Sequence, residues 1–150
     1  MASGATIHSL SPETELARAK DMLTRLVAFD TTSRNSNLAF IADVRALLAD
    51  YGITSRLVHN DEGTKANLLA TVGPMVPGGI VLSGHTDVVP IDDQDWRTDP
   101  WKVTERDGKL YGRGTADMKS FLAVILAALP EMTKAKLKVP LHLAFSYDEE

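Results

Sequence analysis

The stretch "ADMKSFLAVILAALPEM", residues 116–132, constrains this chain more than any other. Its spacing predicts a helix that is apolar almost all round, with an unbroken apolar run from Phe121 to Leu129. A helix at a protein surface keeps a polar face, so one without it has to be packed tightly, as against a sheet. The run is about half of the roughly 20 residues that a bilayer crossing takes. Cover must therefore come from the rest of the chain, and 150 residues are enough for one domain with a core.

The remaining pattern supplies that cover. Ser11-Pro12-Glu13 reads as N-cap, proline at the first helical position and a first-turn acid. Leu16, Ala19, Leu23, Leu26 and Val27 follow at helical spacing. After the polar loop "DTTSRNSN", a second helix carries Phe40, Ile41, Val44, Leu47, Leu48 and Tyr51 on one face and stops at Gly52. Three short runs read as strands, "ITSRLVH", "ANLLATV" and "GIVLSGH", the last two separated by the turn signal "GPMVPGG". "KVTERDGKLYG" predicts a hairpin around Asp107-Gly108, and "VPLHLAFS" a final strand. Helices alternating with short buried strands predict an α/β layered domain.

Composition closes off several function classes. A net charge of −4 and a pI near 5.5 argue against a nucleic-acid or anionic-membrane partner. With no cysteine there is no disulfide, no thiolate nucleophile and no cysteine-type zinc site. Histidines and carboxylates are then the only strong metal ligands. The opening "MASGATIHSL" lacks the basic and apolar regions of a signal peptide, so the expectation is a soluble, cytoplasmic protein.

Three segments put reactive side chains at strand ends or helix starts, where α/β sheets build their sites. In "SGHTDVVP", His85 and Asp87 are two apart and would share a face of an extended chain. Asp87 could then accept the second imidazole N–H and leave the other nitrogen free for a metal; an ordinary strand-to-loop turn is the plainer reading. In "YGRGTADMKS", Asp117 opens the apolar helix, either as an N-cap or as a ligand projecting from a glycine-rich turn; the spacing is not that of a phosphate loop. In "SYDEE", Glu149 and Glu150 at a strand end would point to opposite sides and do different jobs, unless the turn is simply solvated. Asp92, Asp93, Asp95 and Asp99 lack the glycine and glutamate of a calcium loop and read as solvated charges. His8 falls in a polar tail, His59 at a strand end, and His142 reads as packing or hydrogen bonding.

Taken together, "GHTDVVP", "YGRGTADMK" and "SYDEE" at intervals of about thirty residues resemble the co-catalytic zinc amidohydrolases of the aminoacylase/carboxypeptidase/succinyl-diaminopimelate desuccinylase type. The flanks "LVAFDTTSRNSNL", "DWRTDPWKVTERDGKLYGRGTADMKSFLA" and "FSYDEE" resemble the branch that hydrolyses N-acetylornithine more than the desuccinylase branch. The resemblance implies a three-layer α/β/α sandwich of the zinc-dependent exopeptidase type. It also implies two Zn²⁺, replaceable by Co²⁺ or Mn²⁺, and a small N-acyl amino acid as substrate. His85 would be a ligand to one metal, Asp117 would bridge both with a cis peptide after it, and Glu150 would bind the second. Asp87 would orient the histidine. Glu149 would be the general base, taking a proton from a water shared by the metals and handing it to the leaving amine.

The resemblance also implies pieces this sequence lacks: a further acidic ligand, a distal histidine and a dimerisation domain. Residues 1–150 are thus expected to be the N-terminal part of a truncated catalytic domain whose full-length parent is a homodimer. Each metal would have two ligands where catalytic zinc normally has three plus water. The piece alone is expected to be inactive; a non-catalytic folded unit or an amidase for another N-acyl substrate are the other readings. The last strand is expected to form an unpaired sheet edge through which, or through the 118–129 helix, the chain associates.

Overall fold

The computed structural model describes residues 11–150; the readings of "MASGATIHSL" and of His8 lie outside the described residues. Helix α1, Pro12–Val27, begins as the sequence predicts: the Ser11 hydroxyl caps Thr14 N and the proline sits in the first turn. Helix α2 spans Leu38–Asp50 and buries Phe40, Ile41, Val44 and Leu48. The strands β1 (Ser55–His59), β2 (Ala66–Val72) and β3 (Ile80–His85) follow. The hairpin β4–β5 (Thr104–Arg106, Lys109–Tyr111) turns at Asp107 and Gly108, both at positive φ, 52° and 68°, the combination a type I′ turn requires.

The long apolar helix is two helices. α3 runs Lys119–Ala127 and α4 Leu129–Lys134, with the break at Ala128. Pro130 explains it, since a proline lacks the N–H a helix interior needs and its ring clashes with the carbonyl four residues back. Asp117 is not the N-cap; Met118 is, and it offers no side-chain hydrogen bond.

Strand β6, Leu141–Ser146, completes a mixed sheet of order β1-β2-β6-β3. It runs antiparallel to β2 and parallel to β3, with His85 opposite Ser146. The expectation that the last strand is a bare edge is therefore wrong: β6 has neighbours on both sides, and among the described residues the free edges belong to β1 and β3. The turn after β2 does not return β3 beside it, because the later β6 inserts between the two.

Ala66, Leu68, Ala70 and Val72 from β2 and Leu143 and Phe145 from β6 point to one side of the sheet. They form one core with Leu26, Phe40, Leu48, Leu122 and Leu126 from the helices. A Cβ on Gly84 would come within 2.8 Å of Leu122 and 3.1 Å of Met118, so glycine here lets α3 lie directly on the last turn of β3. The opposite face, with Leu69, Thr71, Val81, His142 and Ala144, lines a shallow depression of about 1040 Å³. His142 bonds there to the Thr71 hydroxyl at 3.0 Å and the Gly78 carbonyl at 3.3 Å.

Candidate metal centre at the ends of β3 and β6

Parallel pairing brings the C-terminal ends of β3 and β6 side by side, with the turn before α3 beside them. His85 closes β3 and is buried. Its Nε2 lies 2.9 Å from Asp117 Oδ1 and 3.7 Å from Glu149 Oε2. Ligating atoms of His85, Asp117 and Glu150 all fall within 4.8 Å of one another, the one such group of three among the described residues. The Asp117–Met118 peptide is cis, as the resemblance implies. The chain thus brings together all five residues that the sequence singled out, and leaves Asp92, Asp93, Asp95, Asp99 and His59 outside.

Two local readings need correction. Asp87 does not hold the imidazole through its carboxylate: Nδ1 bonds to the Asp87 main-chain carbonyl at 3.0 Å, while the nearest carboxylate oxygen stands 3.6 Å away. The carboxylate turns instead to the other strand end, where Oδ2 accepts the backbone N–H groups of both Glu149 and Glu150 at 3.0 Å. Nor do the glutamates alternate across a strand. β6 ends at Ser146, Asp148 takes a left-handed backbone (φ 56°), and both side chains come round towards His85.

The wall behind the site comes from a segment whose polarity suggested only a loop. Thr31, Thr32 and Asn37 are buried, and Thr32 bridges to Val88. Thr31 donates to the Thr86 carbonyl at 2.6 Å, and Asn37 to the Ala66 carbonyl and the Thr86 hydroxyl. Thr86 in turn donates from both its N–H and its hydroxyl to the Ser146 carbonyl. Each buried polar atom on this path has its partner, as burial demands.

Sequence reasoning also missed Lys119, which follows Asp117 by two residues and is wholly buried. Its ammonium donates to the Phe29 carbonyl at 2.7 Å and lies over the rings of Phe40 and Trp101. Burial pushes its pKa down to about 7, against the opposing pull of Asp30. An aromatic-lined pocket for an ammonium has no signature in a linear pattern.

Charge explains what the cluster is fit for. Burial and then the neighbouring Asp117 push Glu150 above its usual value, with Glu149 and Asp87 adding to the effect and His85 opposing it. For His85, burial alone would lower the pKa. The hydrogen bonds to Asp117 and the Asp87 carbonyl, with the charges of both acids, raise it overall. Asp87 Oδ1 is buried without a partner. One imidazole nitrogen among crowded carboxylate oxygens is a donor set for a borderline-hard divalent cation, which would relieve the repulsion.

Residues 81–150 match the profile of Peptidase family M20/M25/M40. Over 143 residues the chain is 42% identical to an acetylornithine deacetylase from Salmonella paratyphi B, covering 94% of this chain and 37% of that protein. Human carnosine dipeptidase 1 superposes with a TM-score of 0.72 at 26% identity, over 90% of this chain and 33% of its own. An M20 family metallo-carboxypeptidase from Sulfolobus solfataricus gives 0.72 at 19%, over 86% and 30%. The fold resembles that of metallopeptidase catalytic domains, with a mixed sheet carrying helices on one face. The similarity to peptidase family M20/M25/M40 runs through residues 81–150, and that to the acetylornithine deacetylase through nearly the whole chain. The chain spans little more than a third of the length of the curated relative it matches.

Proposed function

We propose that these residues are the N-terminal part of the catalytic domain of a metal-dependent amide hydrolase that removes the acetyl group from N-acetylornithine. The observation that carries this reading is the convergence of His85, Asp117 and Glu150 within 4.8 Å. The 42% identity to an acetylornithine deacetylase supports the substrate. The rest of the catalytic domain and a dimerisation domain belong to the parent, a cytoplasmic homodimer serving arginine biosynthesis.

His85 and Asp117 would hold one Zn²⁺ and Asp117 and Glu150 a second, with Co²⁺ or Mn²⁺ able to substitute. Bound there, the metal supplies a Lewis acid for the amide carbonyl and for the attacking water. Glu149, 3.7 Å from His85 but not needed for the ligand triad, is the general base. It takes the water's proton and returns it to the departing amine, leaving ornithine and acetate. Asp87 holds Glu149 and Glu150 by their N–H groups so that the base and the ligand stay in register.

The test is an acetylornithine hydrolysis assay with added Zn²⁺ or Co²⁺ beside metal analysis. It should use the full reading frame, its Glu149→Ala variant and the 150-residue chain. The full frame is expected to be active, Glu149→Ala to lose activity while keeping metal, and the short chain to be inactive. A full frame that turns over other N-acyl amino acids or dipeptides, and not acetylornithine, would leave the metal chemistry and overturn the substrate. The likeness to carnosine dipeptidase makes a dipeptide the second substrate to try.

A further inference from the structure

We propose that Lys65 is a positioning residue for the Glu149–Glu150 pair, acting through Asp148; the inference rests on the metal-centre reading above. Lys65 closes the turn between β1 and β2, where Asn60 Oδ1 accepts the N–H groups of Thr64 and Lys65 and fixes the turn that presents the side chain. The side chain is only 16% exposed. Its ammonium donates to the Ser33 carbonyl at 2.5 Å, pairs with the Asp148 carboxylate and lies 6.0 Å from the Tyr147 ring.

That pairing matters because of the backbone at Asp148. A left-handed residue is unusual outside glycine, though aspartate tolerates it better than most. Here it turns the chain so that the next two N–H groups converge on one Asp87 oxygen, the concave arrangement that favours an anion. Tyr147 N–H is held in turn by Asn67 Oδ1 at 3.1 Å. Asn67 and Asp87 grip this turn by its main-chain N–H groups, whereas Lys65 holds the carboxylate of Asp148, the residue that reverses the chain. Lys65 also ties that turn to Ser33, in the wall built by residues 30–37. Removing its charge while keeping its stem frees Asp148 and lets the two glutamates drift from His85.

The experiment compares the wild-type chain with Lys65→Met, Lys65→Arg and Asp148→Asn, in two measurements. Without metal, NMR follows the Glu149 and Glu150 amide protons, which a carboxylate acceptor shifts downfield. With Co²⁺, titration calorimetry and the visible spectrum report affinity and ligand geometry. Lys65→Met is expected to return both amide shifts towards coil values and to weaken Co²⁺ binding about 10–100-fold, the usual cost of losing an outer partner of a metal ligand. Lys65→Arg should restore both, and the unfolding midpoint of the metal-free protein should move little. Unchanged amide shifts with affinity within twofold of wild type would overturn the proposal, as would a lowered midpoint with unchanged affinity. If Lys65→Met does not fold, Asp148→Asn decides by the same two readouts. Wild-type protein that binds no Co²⁺ through His85 and Glu150 would sink the metal-centre reading, while the metal-free amide shifts would still judge Lys65.

Discussion

The core beneath the helices and the rim where β3 and β6 end lie one residue apart along the chain, at Phe145 and Ser146, and follow opposite rules. In the core, Leu126, Leu122, Phe40 and Leu143 are apolar and buried, and each contact lowers the free energy of the fold. On the rim, Asp87, Asp117, Glu149 and Glu150 crowd one imidazole, so like charges repel and Asp87 Oδ1 has no hydrogen-bond partner. The core spends no chemistry and supplies stability; the rim holds chemistry that the fold must carry at a cost.

That contrast can be broken most decisively at Leu126. Leu126→Ala should cost about 2–5 kcal/mol in urea unfolding, since it removes a buried side chain and leaves a cavity. A loss below about 1 kcal/mol would mean the core is not close-packed. On the rim the sign should reverse. Glu150→Gln is expected to leave the metal-free protein as stable or more so, because it removes a repelled carboxylate. Wild type should be stabilised by about 2.7 kcal/mol when Zn²⁺ is present at a hundred times its Kd. Glu150→Gln should lose most of that; equal stabilisation of both proteins would place the metal elsewhere.

The pH dependence sharpens the same comparison, because His85 and Lys119 pull in opposite directions. The His85 pKa is raised in the folded state, so its contribution is complete below 6.5 and is lost as pH climbs through the higher folded value. Lys119 is depressed to about 7 from 10.5, so the unfolded chain binds the extra proton and stability rises with pH between those values. In metal-free protein, His85→Asn should remove the fall and Lys119→Met the rise, read from urea midpoints across pH 5 to 10. A midpoint profile that neither substitution alters would refute both assignments.

Two smaller effects concern surfaces. The edge of β3 carries exposed Ile80 and Val81 and no lysine or proline to guard it, and α3 exposes Phe121 and Val124. Light scattering after size exclusion should show association that reverses on dilution, and a dilution-stable monomer would count against it. Smallest of all, Lys20→Ala removes an ion pair to Glu105 that is partly exposed on both sides. It should change stability by no more than about 0.5 kcal/mol.

Much of this was readable from local pattern. The start of α1, the Asp-Gly hairpin and the five site residues each have a signature within a few positions. What escaped depends on partners distant in sequence. The order β1-β2-β6-β3 is decided by which strand has two apolar neighbours to lie between, and no window over "VPLHLAFS" contains them. Thr31 and Asn37 read as loop because their acceptors, Thr86 and Ala66, lie 55 and 29 residues away. Asp87 shares a face with His85 in an extended chain, but the N–H groups that its carboxylate accepts lie 62 and 63 positions downstream.

The Asp87 clamp has one more consequence. It grips Glu149 and Glu150 by main-chain N–H groups, which every residue but proline possesses. The scaffold therefore recognises where these two residues are and is indifferent to what they are. Side chains at 149 and 150 can be exchanged by mutation without dismantling the turn that presents them. Metal preference and base strength can thus be retuned in evolution separately from the fold, as long as position 87 keeps a side-chain oxygen that accepts both N–H groups.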